Sequence, residues 1–340
     1  MLNFDNDYSE GAHSKILEKL SEINYEKMIG YGYDIFCRSA AEKIKKACGI
    51  DGGEVYFLCG GTQTNQVVIS SMLYHGEGVI AAESGHVNVH EAGAIELTGH
   101  KVMAIPSHLG KIDAAELDDF IDGFYCDENR EHMVYPGMVY ISHPTEYGTL
   151  YSKFELEEIH RICRKYNIPL YLDGARLGYA LASPENELSL EEIAANCEVF
   201  YIGGTKVGAF LGEAVVFPAD SPKRFITLVK QHGALLAKGW LLGVQFDCLF
   251  TDDLYMKIGK NAIEKAEIVK RALKEKGYEL YIDSPTNQIF VTMEDKRLEQ
   301  LSKKAIFSFI LKNDPDHTTI RIATSWATTE SDIKELIDIL

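Results

Sequence analysis

The chain carries seven cysteines, yet no two form a Cys-x-x-Cys pair. An odd, scattered set gives no disulfide framework and reads as reduced thiols in a cytoplasmic protein. No stretch approaches the roughly 18 apolar residues of a membrane span. The opening segment, MLNFDNDYSEGAH, is acidic and polar, unlike a signal peptide. Positive charge is also short. Against 51 acidic residues stand 34 lysines and arginines, a net charge of −17. Such a surface repels nucleic acid and acidic membranes, which excludes both as partners. There is no internal repeat, low-complexity segment or disordered linker. There is no G-x-G-x-x-G after the first strand-like run and no P-loop, which excludes a nicotinamide-binding Rossmann enzyme.

What the chain does have is length and an ordered alternation. At 340 residues and 46% apolar content it can build one large domain with a smaller partner. Strand-like runs (VYFL, GVIAA, GMVYIS, PLYLD, VFYIG, AVVF) alternate with helical stretches, which predicts a mainly parallel sheet covered on both faces. Capping boxes are predicted at Ser152–Glu155 and Ser189–Glu192. Residues 255–276 read as one charged amphipathic helix. The runs QIFVTM, AIFSFIL and TTIRIAT then predict antiparallel strands with helices on one face. The division expected is an N-terminal arm over 1–30, a large α/β domain over 31–240 and a small α+β domain over 241–340.

Chemistry concentrates between residues 169 and 212. One apolar run stops at Asp173-Gly174-Ala175-Arg176, and the next stops at Gly203-Gly204-Thr205-Lys206. Ligands of open α/β sheets sit outside the carboxyl ends of strands. A carboxylate and an amine at neighbouring strand ends suit pyridoxal 5'-phosphate: the lysine forms a Schiff base and the aspartate faces the pyridinium nitrogen. Alone, such residues are ordinary turn formers. Upstream, a strand breaks at Gly60-Gly61 and a helix begins near Thr62. That is a phosphate-cradling arrangement, though two glycines by themselves carry little.

Five motifs occur in one order: GGTQTN at 60–65, SGHVNVHEAGA around His86, LDGARL at 172–177, GGTK at 203–206 and TIRIATSW at 319–326. Together, over nearly the whole chain, they resemble the threonine aldolase and β-eliminating lyase family of fold-type I pyridoxal phosphate enzymes. The resemblance implies specific roles. Lys206 looks like the Schiff-base lysine and Asp173 the partner of the ring nitrogen. His86 looks like the imidazole stacked on the ring, and Gly61 and Thr62 like part of the phosphate cup. Arg176 looks like a residue lining the pocket, and Arg321 like the clamp on the substrate carboxylate, a role its bidentate fork suits. The Tyr31-Gly32 pair resembles a loop that meets a neighbouring subunit's active site. Lys230 or Lys238 would bring charge to the phosphate, partly across a dimer interface.

Two positions depart from the family pattern. Glu146 stands where better-known members carry a histidine, so the base that removes the β-hydroxyl proton is Glu146, His143, His90 or a bound water. Asn6 stands where the family places a carboxylate-binding serine. The reaction implied is cleavage of threonine or allo-threonine to glycine and an aldehyde. The alternatives are β-elimination or transamination on another amino acid, or a cofactor-carrying protein without turnover. No metal is expected. A homodimer or homotetramer with shared active sites is expected.

Overall fold

A computed structural model describes residues 1–340. The chain opens on a short strand, β1 (Leu2–Asn3), followed by helices Ser14–Glu22 and Ile35–Ala47. Seven strands then form one sheet: β2 (Glu54–Leu58), β3 (Glu77–Ala82), β4 (Lys101–Ile105), β5 (Tyr135–Ser142), β6 (Leu170–Asp173), β7 (Val199–Gly203) and β8 (Glu213–Phe217). Their order across the sheet is β2-β8-β7-β6-β5-β3-β4. β8 runs antiparallel to both its neighbours, and every other pair is parallel.

Side-chain alternation explains the two-faced covering. Ile80, Val139, Leu172 and Phe200 point into one large core, whereas Val79, Tyr140, Tyr171 and Tyr201 point into another on the opposite face. Both faces are apolar, so the central strands read as continuous hydrophobic runs. Both capping boxes form. Glu155 accepts from the Ser152 N–H at 2.8 Å and donates its own N–H to Ser152 Oγ at 3.2 Å. Ser189 and Glu192 repeat the exchange. These caps start the helices that return the chain to β6 and β7.

The smaller body holds β9 (Glu279–Ile282), β10 (Gln288–Glu294), β11 (Ala305–Ile306), β12 (Ser308–Lys312) and β13 (His317–Ala323). Four of these form an antiparallel sheet ordered β12-β13-β10-β9, and β11 instead pairs with β1 in parallel. The structure adds β9, which the sequence pattern did not show, and divides the run AIFSFIL into β11 and β12. Packing is shared across the stretch that follows the expected division at 240/241. Phe246 and Leu249 belong to the larger core, and the helix Leu254–Glu275 serves both bodies. Its Leu254 and Ile258 pack into the large core, and its Val269 and Leu273 into the small one. Nor is the N-terminal arm independent. Phe4 is buried in the small core, and Ile23 packs with Phe36 and Val244. No helix is long and apolar enough to cross a membrane.

Candidate active site

β6 and β7 are parallel neighbours, so their carboxyl ends lie side by side. The two turns beyond them touch. Gly203 N–H donates to Gly174 O at 2.9 Å, and a Cβ on Gly174 would lie 2.0 Å from Tyr201 O. Only glycine permits that approach. It brings Asp173 and Lys206 to one cavity of about 290 Å³, which His86, Glu146, Arg176, Gly61 and Thr62 also line.

Asp173 is buried and fully engaged. Oδ1 accepts from Tyr201 OH at 2.6 Å and from the Ala175 N–H at 2.9 Å. Oδ2 accepts from Tyr140 OH at 2.6 Å and from Asn65 Nδ2 at 3.3 Å. Burial, and then the Asp173 charge, push both phenols well above their ordinary range, so they remain donors. Asn65 continues the network to Glu91 Oε1 at 2.7 Å, which also meets His86 Nδ1 at 2.8 Å. A carboxylate at Nδ1 fixes the ring orientation and leaves Nε2 free.

Lys206 lies three residues beyond the end of β7. Burial lowers the pKa of its amine, and the Arg176 charge acts the same way, against the opposing anions Asp7, Asp173 and Glu213. A lysine so placed releases its proton more readily than an exposed one. The helix Gly61–Met72 starts at Gly60 without a side-chain cap, and Cys59 to Thr62 line the cavity. Uncapped first-turn N–H groups and the helix dipole suit an anion there.

Glu146 lies across the cavity. Its Oε1 accepts from the His86 N–H at 2.9 Å and from Ser142 Oγ at 2.8 Å. Its Oε2 is buried without a partner. Burial raises its pKa, and the Asp173 charge adds to that against the lowering hydrogen bonds. A second cavity, of about 840 Å³, shares Tyr8, His86, Glu146, Arg176 and Lys206 with the first and adds Arg321 and His90. Arg321 comes from β13, where Ile320 and Ile322 face the small core. Its Nη1 donates to Gln288 Oε1 at 3.0 Å and its Nη2 to Asp5 O at 3.1 Å, whereas Nε is buried and unpartnered.

Five residues singled out in the sequence stand elsewhere: Asn6, His143, Tyr31, Lys230 and Lys238. Asn6 spends its Oδ1 on the Tyr8 N–H and Ser9 Oγ, a local turn that holds it out of both cavities. Of the next two residues, Asp7 is buried, and Tyr8, though largely exposed, lines both cavities. His143 is fully buried, with its ring between the Tyr151 N–H and Asn186, and burial lowers its pKa to about 4. It lines neither cavity. Tyr31 and Lys238 line neither cavity. The Tyr31 N–H bonds Ala237 O at 3.2 Å, and Lys230 Nζ sits 5.1 Å from the Tyr31 ring centre. Sequence reading missed Asp7, Tyr8, Asn65, Tyr140, Tyr201 and Glu213. Asn65 had stood unremarked at the end of the GGTQTN run, and its partner Glu91 in the His-Glu-Ala-Gly-Ala run.

Fold and site together define an α/β enzyme of the fold-type I class, with a lysine and an aspartate at adjacent strand ends. A Thermus thermophilus aspartate aminotransferase double mutant shares that fold at 14% identity, with a TM-score of 0.73 over 100% of this chain and 90% of its own. A family model described as beta-eliminating lyase matches residues 9–296. The chain belongs to that family. It is 28% identical to a low specificity L-threonine aldolase of a Pseudomonas species, over 98% of this chain and 95% of that protein. The solved structure of a Leishmania major threonine aldolase is 40% identical and superposes with a TM-score of 0.96, covering 100% of this chain and 98% of that one.

Proposed function

We propose that this chain is a pyridoxal 5'-phosphate-dependent aldehyde-lyase that cleaves L-threonine and L-allo-threonine to glycine and acetaldehyde. The observation that carries the reading is that Lys206, Asp173, His86 and Glu146 line one cavity. The names borne by the Pseudomonas and Leishmania major relatives support the substrate.

The residues fit the cofactor. Lys206 offers a half-buried amine that faces the cavity and is held by no hydrogen bond or ion pair within the chain. Asp173 would face the ring nitrogen, held by Tyr140 and Tyr201 so that it cannot swing away. His86 would cover one ring face, clamped through Glu91. Gly61 and Thr62 would receive the phosphate at the helix start, with Arg176 nearby. Pyridoxal phosphate would supply an electron sink for the pair left on the substrate α-carbon.

The chain's own groups do the rest. Arg321 and Arg176 hold the substrate α-carboxylate, which sets the orientation of the Cα–Cβ bond. Glu146 Oε2 takes the β-hydroxyl proton as that bond opens, leaving an aldehyde carbonyl. Its two fixed donors hold Oε1 and leave Oε2 as the basic atom. The Tyr31–Lys238 patch would complete the site of a second copy across a two-fold axis, with Lys230 or Lys238 near its phosphate. Free cysteines throughout suit a reducing cytoplasmic compartment.

The test is direct. Purified protein should show a visible cofactor band, and threonine should release acetaldehyde. Lys206→Ala should lose both. Ammonia and a keto acid in place of acetaldehyde would reassign the reaction to β-elimination, and a band that survives in the alanine variant would remove Lys206 from its role.

A further inference from the structure

One buried carboxylate in the cavity has no part in that scheme. Glu213 begins β8, directly opposite Gly203 in the antiparallel pairing with β7. It is 3% exposed, and its hydrogen-bond partners are uncharged. Its Oε1 accepts from Thr205 Oγ1 at 2.8 Å, and its Oε2 from the Gly204 N–H at 3.1 Å. Thr205 Oγ1 in turn accepts from the Gly212 N–H at 3.0 Å. Both bonds fall on the two residues that immediately precede Lys206. A hydrophobic residue here would fill the same space without removing a carboxylate from water, so the acid needs a reason.

We propose that Glu213 is a positioning residue for Lys206. It fixes the Gly204–Thr205 turn that delivers the amine, and its charge sets the pH at which the amine is free to react. This rests on Lys206 being the cofactor-holding lysine. An anion beside an amine favours the protonated form, and a neutral carboxyl does not. Burial pushes Glu213 up to about 8, against the Lys206 charge and the Thr205 bond, so its own titration falls in the working range. Lys206 also faces Asp7 and Arg176 from the other side and Asp173 from β6. Tyr171, Tyr201 and Tyr255 surround Glu213, and burial keeps all three phenols protonated. His86 and Glu146 close the same cavity. Tyr255 OH donates to Gly203 O at 2.8 Å and Tyr179 OH to Lys206 O at 2.5 Å, but among these groups Glu213 alone is an ionisable acid that accepts from both Gly204 and Thr205.

The test reads the amine itself. Cofactor-free protein is acylated at a series of pH values, and the labelling rate of Lys206 is followed by peptide mass spectrometry. Glu213→Gln keeps the size and an acceptor oxygen but removes the charge. Its Lys206 midpoint should fall by about one pH unit, giving up to about tenfold faster labelling above about pH 8, where wild-type Glu213 is ionised, with the profiles converging below it. Thr205→Val keeps the acid but loses the hydroxyl bond that lowers its pKa. It should shift the midpoint in the same direction by less, and it carries the test if the Gln variant does not fold. Glu213→Gln cofactor-loaded protein should show a matching shift in the pH dependence of its visible band. Superimposable labelling profiles for wild type and both variants would overturn the proposal. Wild-type protein that never binds cofactor would overturn the lyase reading instead, and the labelling profiles would still judge Glu213.

Discussion

Asp7 grips Arg176 through both carboxylate oxygens, Oδ2 to Nε at 2.7 Å and Oδ1 to Nη2 at 3.1 Å. Asn287 Nδ2 donates to the same Oδ2 at 2.9 Å. An arm residue therefore joins the turn after β6 to the small body. With Nε and Nη2 engaged, Arg176 keeps Nη1 for a substrate. Burial would raise the Asp7 pKa, but the Arg176 and Lys206 charges and its hydrogen bonds outweigh it and hold the value at about 2.

Asp7→Asn should therefore loosen Arg176. KM for threonine should rise about tenfold while the visible cofactor band persists, as expected for roughly 1.4 kcal/mol of lost orientation. The same change should lower stability. The folded value lies below the ordinary 3.8, so the stabilisation is present above that pH and is lost as pH falls through about 2. It amounts to roughly 2 kcal/mol. Urea unfolding should separate the two proteins at neutral pH and bring them together near pH 2.

Glu146→Gln removes the proposed base but keeps an oxygen for the His86 N–H. Turnover should fall about 10²- to 10⁴-fold. Because burial, and with it the Asp173 charge, raises the Glu146 pKa, the ionised base is lost from a higher pH than an ordinary carboxylate would set. The wild-type acid limb of kcat should accordingly lie above the usual carboxylate range and disappear in the variant. An unchanged limb would point to another group, such as His90 on the wall of the larger cavity.

Arg321→Lys replaces a two-pronged donor with a point charge. KM should rise about 10- to 100-fold, matching the roughly 1.5–3 kcal/mol of a charged hydrogen bond. Turnover at saturating threonine should change less, and steady-state kinetics separates the two.

Tyr201→Phe deletes one of the two phenol donors to Asp173. The buried carboxylate oxygen would keep only the Ala175 N–H, at a cost of about 1–3 kcal/mol. Thermal unfolding should show the loss, and cofactor affinity measured by dialysis should fall with it.

Much of this was legible in the chain itself, for identifiable reasons. Asp173 and Lys206 end consecutive strands, so local pattern alone placed them at one sheet edge. The two capping boxes are four-residue signals and formed as read. Arg321 was singled out through the TIRIATSW run that carries the resemblance, and Ile320 and Ile322 beside it pack into the small core. Asp7 was not, because its position depends on β1 pairing with β11 some 300 residues away in sequence. Glu213 was hidden for a similar reason: a polar residue opening a strand reads as an exposed edge until β8 is seen to lie between β2 and β7. The strand β9 is four residues long, with Glu279 and Tyr281 exposed and only Ile282 buried, too little pattern to register.

The helix Leu254–Glu275 is a single 22-residue rod whose two ends are sunk in different cores. Cutting the gene at the apparent waist would strip apolar surface from whichever fragment lost it. The two bodies should melt together, and the cleft between them is held at a fixed width by a beam that belongs to neither alone.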